Sequence, residues 1–382
     1  MKTVLISAPD ASGDLHAAAC VRELRARRPE LRFVGLGGVA LEKAGVELAV
    51  AQRELAVGGL FEVLRSAGRI VRAWRRMKAL IAETRPDLVI LVDAPDFNLP
   101  LARVAKRAGA AVLYYICPQV WAWRRRRLRK LARRSDHLAV IFPFEVEVFR
   151  RSGRPVDFVG HPLVETLAEW RASCSRGEAR RLLGLHEERP TLLLLPGSRR
   201  NEIKRGLPLM LAVARVLHAR DPRLAFLLAV APTLERAEVE RLIAAQSLPS
   251  ALQLSVVEGR SYEAMRAADV VLAKPGTSTL EAVLLERPLV VVGRANPLTA
   301  ALARRVLHVS YLAMPNLIAG APVVPEFLQQ AAEPERVADA VQKLFLGPAR
   351  AVQLEQLVRV RESLGSGGAA PNVAAIADGM LG

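Results

Sequence analysis

The chain has 382 residues, 51% hydrophobic and 24% charged, and its 55 Lys and Arg against 38 Asp and Glu leave a net charge of +17. This composition argues against extended disorder and the length suggests two domains, while the basic balance keeps nucleic acid, anionic lipid and phosphorylated substrates in play. Three cysteines, Cys20, Cys117 and Cys174, without CxxC spacing argue against a disulfide framework or a Cys-type zinc site, which fits a reducing compartment.

The opening run Val4-Leu5-Ile6-Ser7-Ala8 is too short for a signal-peptide core and breaks at Pro9-Asp10. No stretch reaches the roughly 18 uncharged apolar residues that a spanning helix requires. Short Val/Ile/Leu runs then alternate with helical patterns such as 62–81 and 207–219. Strands are expected at 4–8, 32–36, 88–93, 111–116, 138–142 and 157–159, and again at 191–195, 224–230, 252–257, 270–273 and 289–292. Uninterrupted apolar strands are buried on both faces, as in a parallel sheet covered by helices, so the expected class is doubly wound α/β. The polar stretch 169–188 reads as a linker between a domain at 1–170 and another at 171–345. Residues 346–382 carry helical patterns and no strand.

The loop after the first strand, Pro9 to Asp14, is rich in small residues and suits close approach of a substrate, but it is not GxGxxG. His16 and, in Gly160-His161-Pro162, His161 read as structural histidines before catalytic ones, and the histidines form no metal-ligand spacing. Leu91-Val92-Asp93-Ala94-Pro95-Asp96-Phe97-Asn98 ends a buried strand. Asp93, nearest the strand tip, is the candidate for general-base work, whereas Asp96 and Asn98 read as turn and cap residues. The run 121–134 holds Trp121, Trp123, Arg124, Arg125, Arg126 and Arg127 among eight cations and no acid. It can meet RNA phosphates, lie on an anionic bilayer, or be a solvated face. The mix of apolar and cationic residues at 61–78, among them Ile70, Val71 and Trp74, favours lipid, with a core-facing amphipathic helix as the alternative.

In the second half, Leu195-Pro196-Gly197-Ser198-Arg199 joins a strand to a helix, and Arg199 can clamp a diphosphate bidentately. The alternative is an ordinary turn with Ser198 as N-cap. Ala273-Lys274-Pro275-Gly276-Thr277-Ser278-Thr279-Leu280-Glu281 has the same layout. Its helix start can hold a phosphate, Gly276 lets the ligand approach the backbone, and Glu281 can reach a ribose hydroxyl pair. The alternative is a capping box over Ser278-x-x-Glu281; it is not a Walker A loop.

In order, these blocks resemble lipid-A-disaccharide synthase, a family of inverting glycosyltransferases. The matching segments are Ala11-Ser12-Gly13-Asp14, Asp93 to Asn98, Val120-Trp121-Ala122-Trp123-Arg124, Phe158 to Leu163, Leu195 to Arg199, and Gly276-Thr277 through Glu281. Pro315-Asn316-Leu317-Ile318-Ala319-Gly320 and Pro325-Glu326-Phe327-Leu328-Gln329 complete the set, which spans nearly the whole chain. The resemblance implies a glycosyltransferase-B fold of two Rossmann-like doubly wound domains facing a central cleft, with the last helices crossing back to the first domain. It implies a metal-independent hexosyltransferase, without cofactor, that moves 2,3-diacylglucosamine from its UDP derivative to 2,3-diacylglucosamine 1-phosphate. The β-1,6 lipid A disaccharide 1-phosphate and UDP are the implied products.

By the same resemblance Asp93 is the base, and Gly197, Ser198, Arg199, Gly276, Thr277, Ser278, Thr279, Glu281, Asn316 and Gln329 bind the UDP-sugar. Ser12, Gly13 and Asp14 form the acceptor-side loop, and Trp121, Trp123 and Arg124 to Arg127 face the membrane. The implied location is peripheral, on the cytoplasmic face of a bacterial inner membrane, in contact with anionic phospholipid; a homodimer is allowed and nucleic acid is not expected. The chain departs from the family pattern at Pro9-Asp10, where Gly-Glu is usual, at Pro275, where Ser is usual, and at Gly293, where an aromatic is common. Competing readings are a UDP-N-acetylglucosamine 2-epimerase-like or other UDP-sugar enzyme of the same fold, an inactive binder, and a basic RNA-binding protein.

Overall fold

The computed structural model describes residues 1–55, 62–121, 126–296 and 309–382, with the side chains of 62–67 and 126 left out. The chain divides into one unit of Met1–Pro162 with Leu364–Gly382 and a second of Leu163–Ser363.

The first unit is built on strands β1 (Thr3–Ser7), β2 (Arg32–Gly37), β3 (Glu47–Ala51), β4 (Leu88–Val92), β5 (Ala111–Tyr115), β6 (His137–Val140) and β7 (Val156–Phe158). Among the described residues they form one parallel sheet in the order β3-β2-β1-β4-β5-β6-β7. The second unit uses β8 (Thr191–Leu195), β9 (Ala225–Val230), β10 (Leu254–Glu258), β11 (Val270–Ala273), β12 (Leu289–Gly293) and β13 (Glu326–Leu328), again all parallel, in the order β10-β9-β8-β11-β12-β13. Central strands such as β4, LVILV, and β8, TLLLL, are wholly buried because helices cover both faces.

The order of strands sets where ligands can enter. In the first unit the chain leaves β1 toward β2 on one side and returns to β4 on the other. In the second it leaves β8 toward β9 and returns to β11. Loops at the carboxyl ends of these strand pairs therefore part to opposite faces and leave a crevice.

Two expected boundaries move. The stretch 169–188 is not a linker: it contains parts of helices Pro162–Ser173 and Arg176–Leu182 inside the second unit. Its polar residues are spent internally. Ser175 and Glu178 form a capping box, and the buried Arg180 guanidinium donates to the carbonyls of Ala267 (2.7 Å) and His186 (2.8 Å). Of the strandless tail, helix Pro348–Ser363 stays with the second unit, where the Gln353 amide pairs with both backbone groups of Leu289 (2.8 and 3.2 Å). Helix Ala369–Leu381 packs on helix Ala11–Arg27 of the first unit, with Arg28 on Asp378 at 2.6 Å and Asn372 on the Val159 carbonyl at 3.0 Å.

Candidate functional site

Asp93 stands where β4 ends, in the crevice of the first unit. Asp93 and Ala94 both have left-handed backbone, φ 45° and 41°, at a cost of about 1–3 kcal/mol each for residues with a Cβ. Neighbouring groups hold the elbow in place. The Asp93 amide donates to the Tyr115 carbonyl (3.1 Å), and its own carbonyl accepts from Asn98 Nδ2 (2.9 Å) and the Tyr114 hydroxyl (2.7 Å). Fully buried Asn98 also accepts from Ser7 Oγ at 2.7 Å, tying the β4 loop to the end of β1. The Asp93 carboxyl is half-buried. Burial, and then the charge of Asp10 across the crevice, push its pKa up to about 6, against a bond from the Ala94 amide that lowers it.

On the β1 side, Asp10 caps helix Ala11–Arg27, accepting from the Gly13 amide (2.7 Å) and the Ser12 hydroxyl (2.8 Å). Asp14 is 5% exposed and its carboxylate is consumed by the amides of Gly38 (2.6 Å), Ala40 (3.0 Å) and Leu41 (3.2 Å). It shapes the neighbouring loop; Gly13 is buried as well and gives its amide to Asp10, so of the three predicted acceptor-side residues only Ser12 is exposed.

An apolar groove of about 540 Å³ opens beside both loops, lined by Pro9, Ala94, Pro95 and Phe97 and by Ile70, Val71 and Trp74 of helix Glu62–Thr84. Ile70 and Val71 are 40% and 46% exposed, and the Trp74 indole N–H is buried without a hydrogen-bond partner among the described residues.

The membrane-facing assignments change. Trp121 is 9% exposed: its N–H donates to Glu145 at 2.9 Å and its ring meets Phe144 edge-on at 5.0 Å, so it belongs to the core. Arg127 turns inward to pair with Asp96. Trp123, Arg124 and Arg125 lie outside the described residues, as does the side chain of Arg126. Helix Arg126–Arg134 does present Arg129, Lys130 and Arg133 outward. Glu145 itself was not singled out from the sequence, where it looks like an ordinary first-turn glutamate. It is 1% exposed, and burial pushes its pKa up to about 7 against bonds from Trp121 and the Phe142 and Ile141 amides. His161, also buried, is driven down to about 3 by burial and by His16, so it is neutral.

In the second unit β8 and β11 are neighbours, with Leu195 opposite Ala273, so the loops 196–199 and 274–276 leave the sheet side by side. Gly197 and Gly276 have φ 119° and 151°. Helix Arg200–Arg220 starts after Arg199, not Ser198, and Arg199 is 83% exposed. Helix Thr277–Leu284 starts after Gly276, and no capping box forms over Ser278. Instead Glu281 receives the Tyr262 hydroxyl at 3.2 Å, and burial raises its pKa. Thr277 is exposed and Ser278 half-buried, whereas Thr279 is fully buried and gives its hydroxyl to the Gly276 carbonyl (2.7 Å).

Asn316 is 1% exposed and spends its amide on both backbone groups of Val324 and on Glu326, all at 2.8 Å. With its amide turned so that the oxygen meets the Ala295 N–H, Gln329 pairs with both backbone groups of Ala295, at 3.1 and 3.3 Å. Both residues therefore brace the loops around β13. The departures at Pro275 and Gly293 are one feature: a Cβ at 293 would stand 3.4 Å from the Pro275 ring and 3.2 Å from Leu328. Among the described residues, no three His, Cys, Asp or Glu could hold a metal ion together, and no helix is long and apolar enough to cross a membrane.

Solved structures of similar fold include the UDP-GlcNAc 2-epimerase of Neisseria meningitidis bound to UDP-GlcNAc (TM-score 0.66, 13% identity, 100% of this chain and 99% of that one). The calicheamicin glycosyltransferase CalG4 (0.60, 16%, 100% and 98%) and Acinetobacter baumannii MurG (0.57, 15%, 99% and 100%) are others. At these identities the likeness establishes the fold, glycosyltransferase-B. In sequence, the lipid-A-disaccharide synthase of Geobacter metallireducens is 43% identical over 382 residues, 100% of this chain and 98% of the relative. That of Syntrophus aciditrophicus is 43% identical over 98% and 97%. A family profile described as lipid-A-disaccharide synthetase matches residues 4–367. With that match running from β1 to the tail, through every loop described above, the chain belongs to the lipid-A-disaccharide synthase family.

Proposed function

We propose that this protein transfers 2,3-diacylglucosamine from UDP-2,3-diacylglucosamine to the 6-hydroxyl of 2,3-diacylglucosamine 1-phosphate. The observation that carries the reading is Asp93: a half-buried carboxylate with a pKa near 6, on a strained elbow, beside an apolar groove. A base of that strength is ionised at neutral pH yet able to accept a proton as the hydroxyl attacks. The hydroxyl oxygen bonds to the anomeric carbon of the donor, the bond from that carbon to the diphosphate breaks, and its electron pair leaves with UDP. Attack from the face opposite UDP gives the β linkage.

The leaving diphosphate gains negative charge, which the amides and Arg199 of 197–199 and the helix start at 276–278 are suited to stabilise. Glu281 takes the ribose hydroxyls. Thr279, Asn316 and Gln329 act by holding these loops in shape. The groove accepts acyl chain. The exposed cations Arg72, Arg75, Arg129, Lys130 and Arg133 suit an anionic bilayer, which keeps the enzyme where its acylated substrates lie.

Asp93→Asn is the test, since it keeps shape and removes the base. Turnover is expected to fall by about 10²–10⁴-fold with UDP affinity within about twofold of the parent. Near-normal turnover would remove Asp93 from the mechanism.

A further inference from the structure

Lys274 was assigned no role above, yet it lies between the two glycine loops. Its Cδ passes 2.7 Å from where a Cβ on Gly197 would stand, and its ammonium 3.7 Å from one on Gly276. The ammonium pairs with Glu202 Oε1 at 3.0 Å. The other oxygen, Oε2, faces the amides of Ser198 (3.3 Å) and Arg199 (3.4 Å), and the Arg199 guanidinium is 3.7 Å from Oε1. One carboxylate thus gathers two loop amides, an ammonium and a guanidinium, which is the donor set of a phosphate group. The amide contacts are long against the usual 2.9–3.0 Å, so the carboxylate holds them loosely. Pro275 lacks the N–H that an anion at this helix start could use, and the adjacent Lys274 puts a full positive charge there instead.

We infer that Lys274 is a diphosphate-binding cation of the donor site and that Glu202 is the internal anion it exchanges for the diphosphate when UDP-sugar binds. The inference rests on the reading that the 197–199 and 274–278 loops hold the UDP diphosphate. A diphosphate carries more negative charge than one carboxylate and has more acceptor oxygens, so it competes well for the same donors. On its arrival Glu202 leaves the loop amides, and the ammonium moves from carboxylate to phosphate. Gly197 has to be glycine for this, because a Cβ there would stand 2.6 Å from Glu202 Oε2.

The test is calorimetric binding of UDP and of uridine to the full-length protein, as the parent and as Lys274→Met, Glu202→Gln and the double variant. Lys274→Met is expected to weaken UDP about tenfold or more and leave uridine unchanged. Glu202→Gln removes the competing anion and is expected to tighten UDP, and the double variant stays weaker than the parent. If Lys274 served only to neutralise Glu202, the double variant would regain parental UDP affinity, which would overturn the inference. So would a Glu202→Gln protein that binds UDP more weakly with uridine unchanged. A parent that binds uridine as tightly as UDP would instead sink the underlying reading of the loops.

Discussion

Asp93 combines two costs, left-handed backbone and a carboxylate kept partly from water. Because its folded pKa lies near 6 against 3.8 for the free group, its contribution to stability is present below about pH 4 and lost as pH rises to about 6. Asp93→Asn is therefore expected to raise stability near neutral pH by about 1–2 kcal/mol and to give no gain at pH 4, in paired melts. A gain independent of pH would contradict the electrostatic account. The same carboxylate sets the pH profile: kcat/KM should rise with pH through an apparent pKa near 6. Asp10→Asn keeps the helix cap and removes the facing charge, so it should move that acidic limb to lower pH; an unmoved limb would exclude the coupling. At this scale Asp93 was legible, because an acid at the tip of an apolar strand is conspicuous. Lys274, Glu145 and Tyr262 were not: each acts through a partner distant in sequence, Glu202, Trp121 and Glu281 in turn, and only the fold brings the pairs together.

Elements were read best where burial is two-sided. The central strands carry unbroken apolar runs, so their places were clear. Strands β3 and β13 were missed: at sheet edges they are short and half-exposed, ELAVA holds two alanines and EFL is only three residues, whereas the edge strands β7 and β10 were anticipated. The false linker failed for a related reason: buried Arg180 looks like a surface residue until its carbonyl partners are in place. Helix Glu62–Thr84 packs on the core along one face, as its amphipathic reading expects. Ala73, Met77, Leu80 and Ile81 are buried in the sheet core, while Ile70 and Val71 remain exposed beside the groove. Replacing Ile70 and Val71 by Ser should leave the melting temperature within a few degrees and the UDP affinity unchanged. It should raise KM for the acylated acceptor about tenfold or more, since a ligand covers only the 40% and 46% of these residues that is exposed, a fraction of the about 1.5–3 kcal/mol for burying a whole side chain. An unchanged KM would return the groove to a structural role.

Across the whole molecule, each unit places its candidate residues by the same device, a parallel sheet whose strand order reverses beside its first strand. One crevice gathers the proposed base, a helix-capping acid and an apolar groove; the other gathers two glycine loops, an exposed arginine and Glu281, the carboxylate proposed for ribose. The motifs marked loops that the fold places at strand ends, because strand-end glycines and acids stand out against apolar strands. They did not say which members touch ligand and which brace the loops, since Thr279, Asn316 and Asp14 reveal their internal bonds only once folded. The most direct test is a mass-spectrometric assay of the purified protein, with chelator and mild detergent, on UDP-2,3-diacylglucosamine and 2,3-diacylglucosamine 1-phosphate. Disaccharide phosphate formed with one equivalent of UDP is the expected result. UDP-sugar consumed equally well without the acceptor, or no disaccharide from a folded protein that binds UDP, would contradict the account.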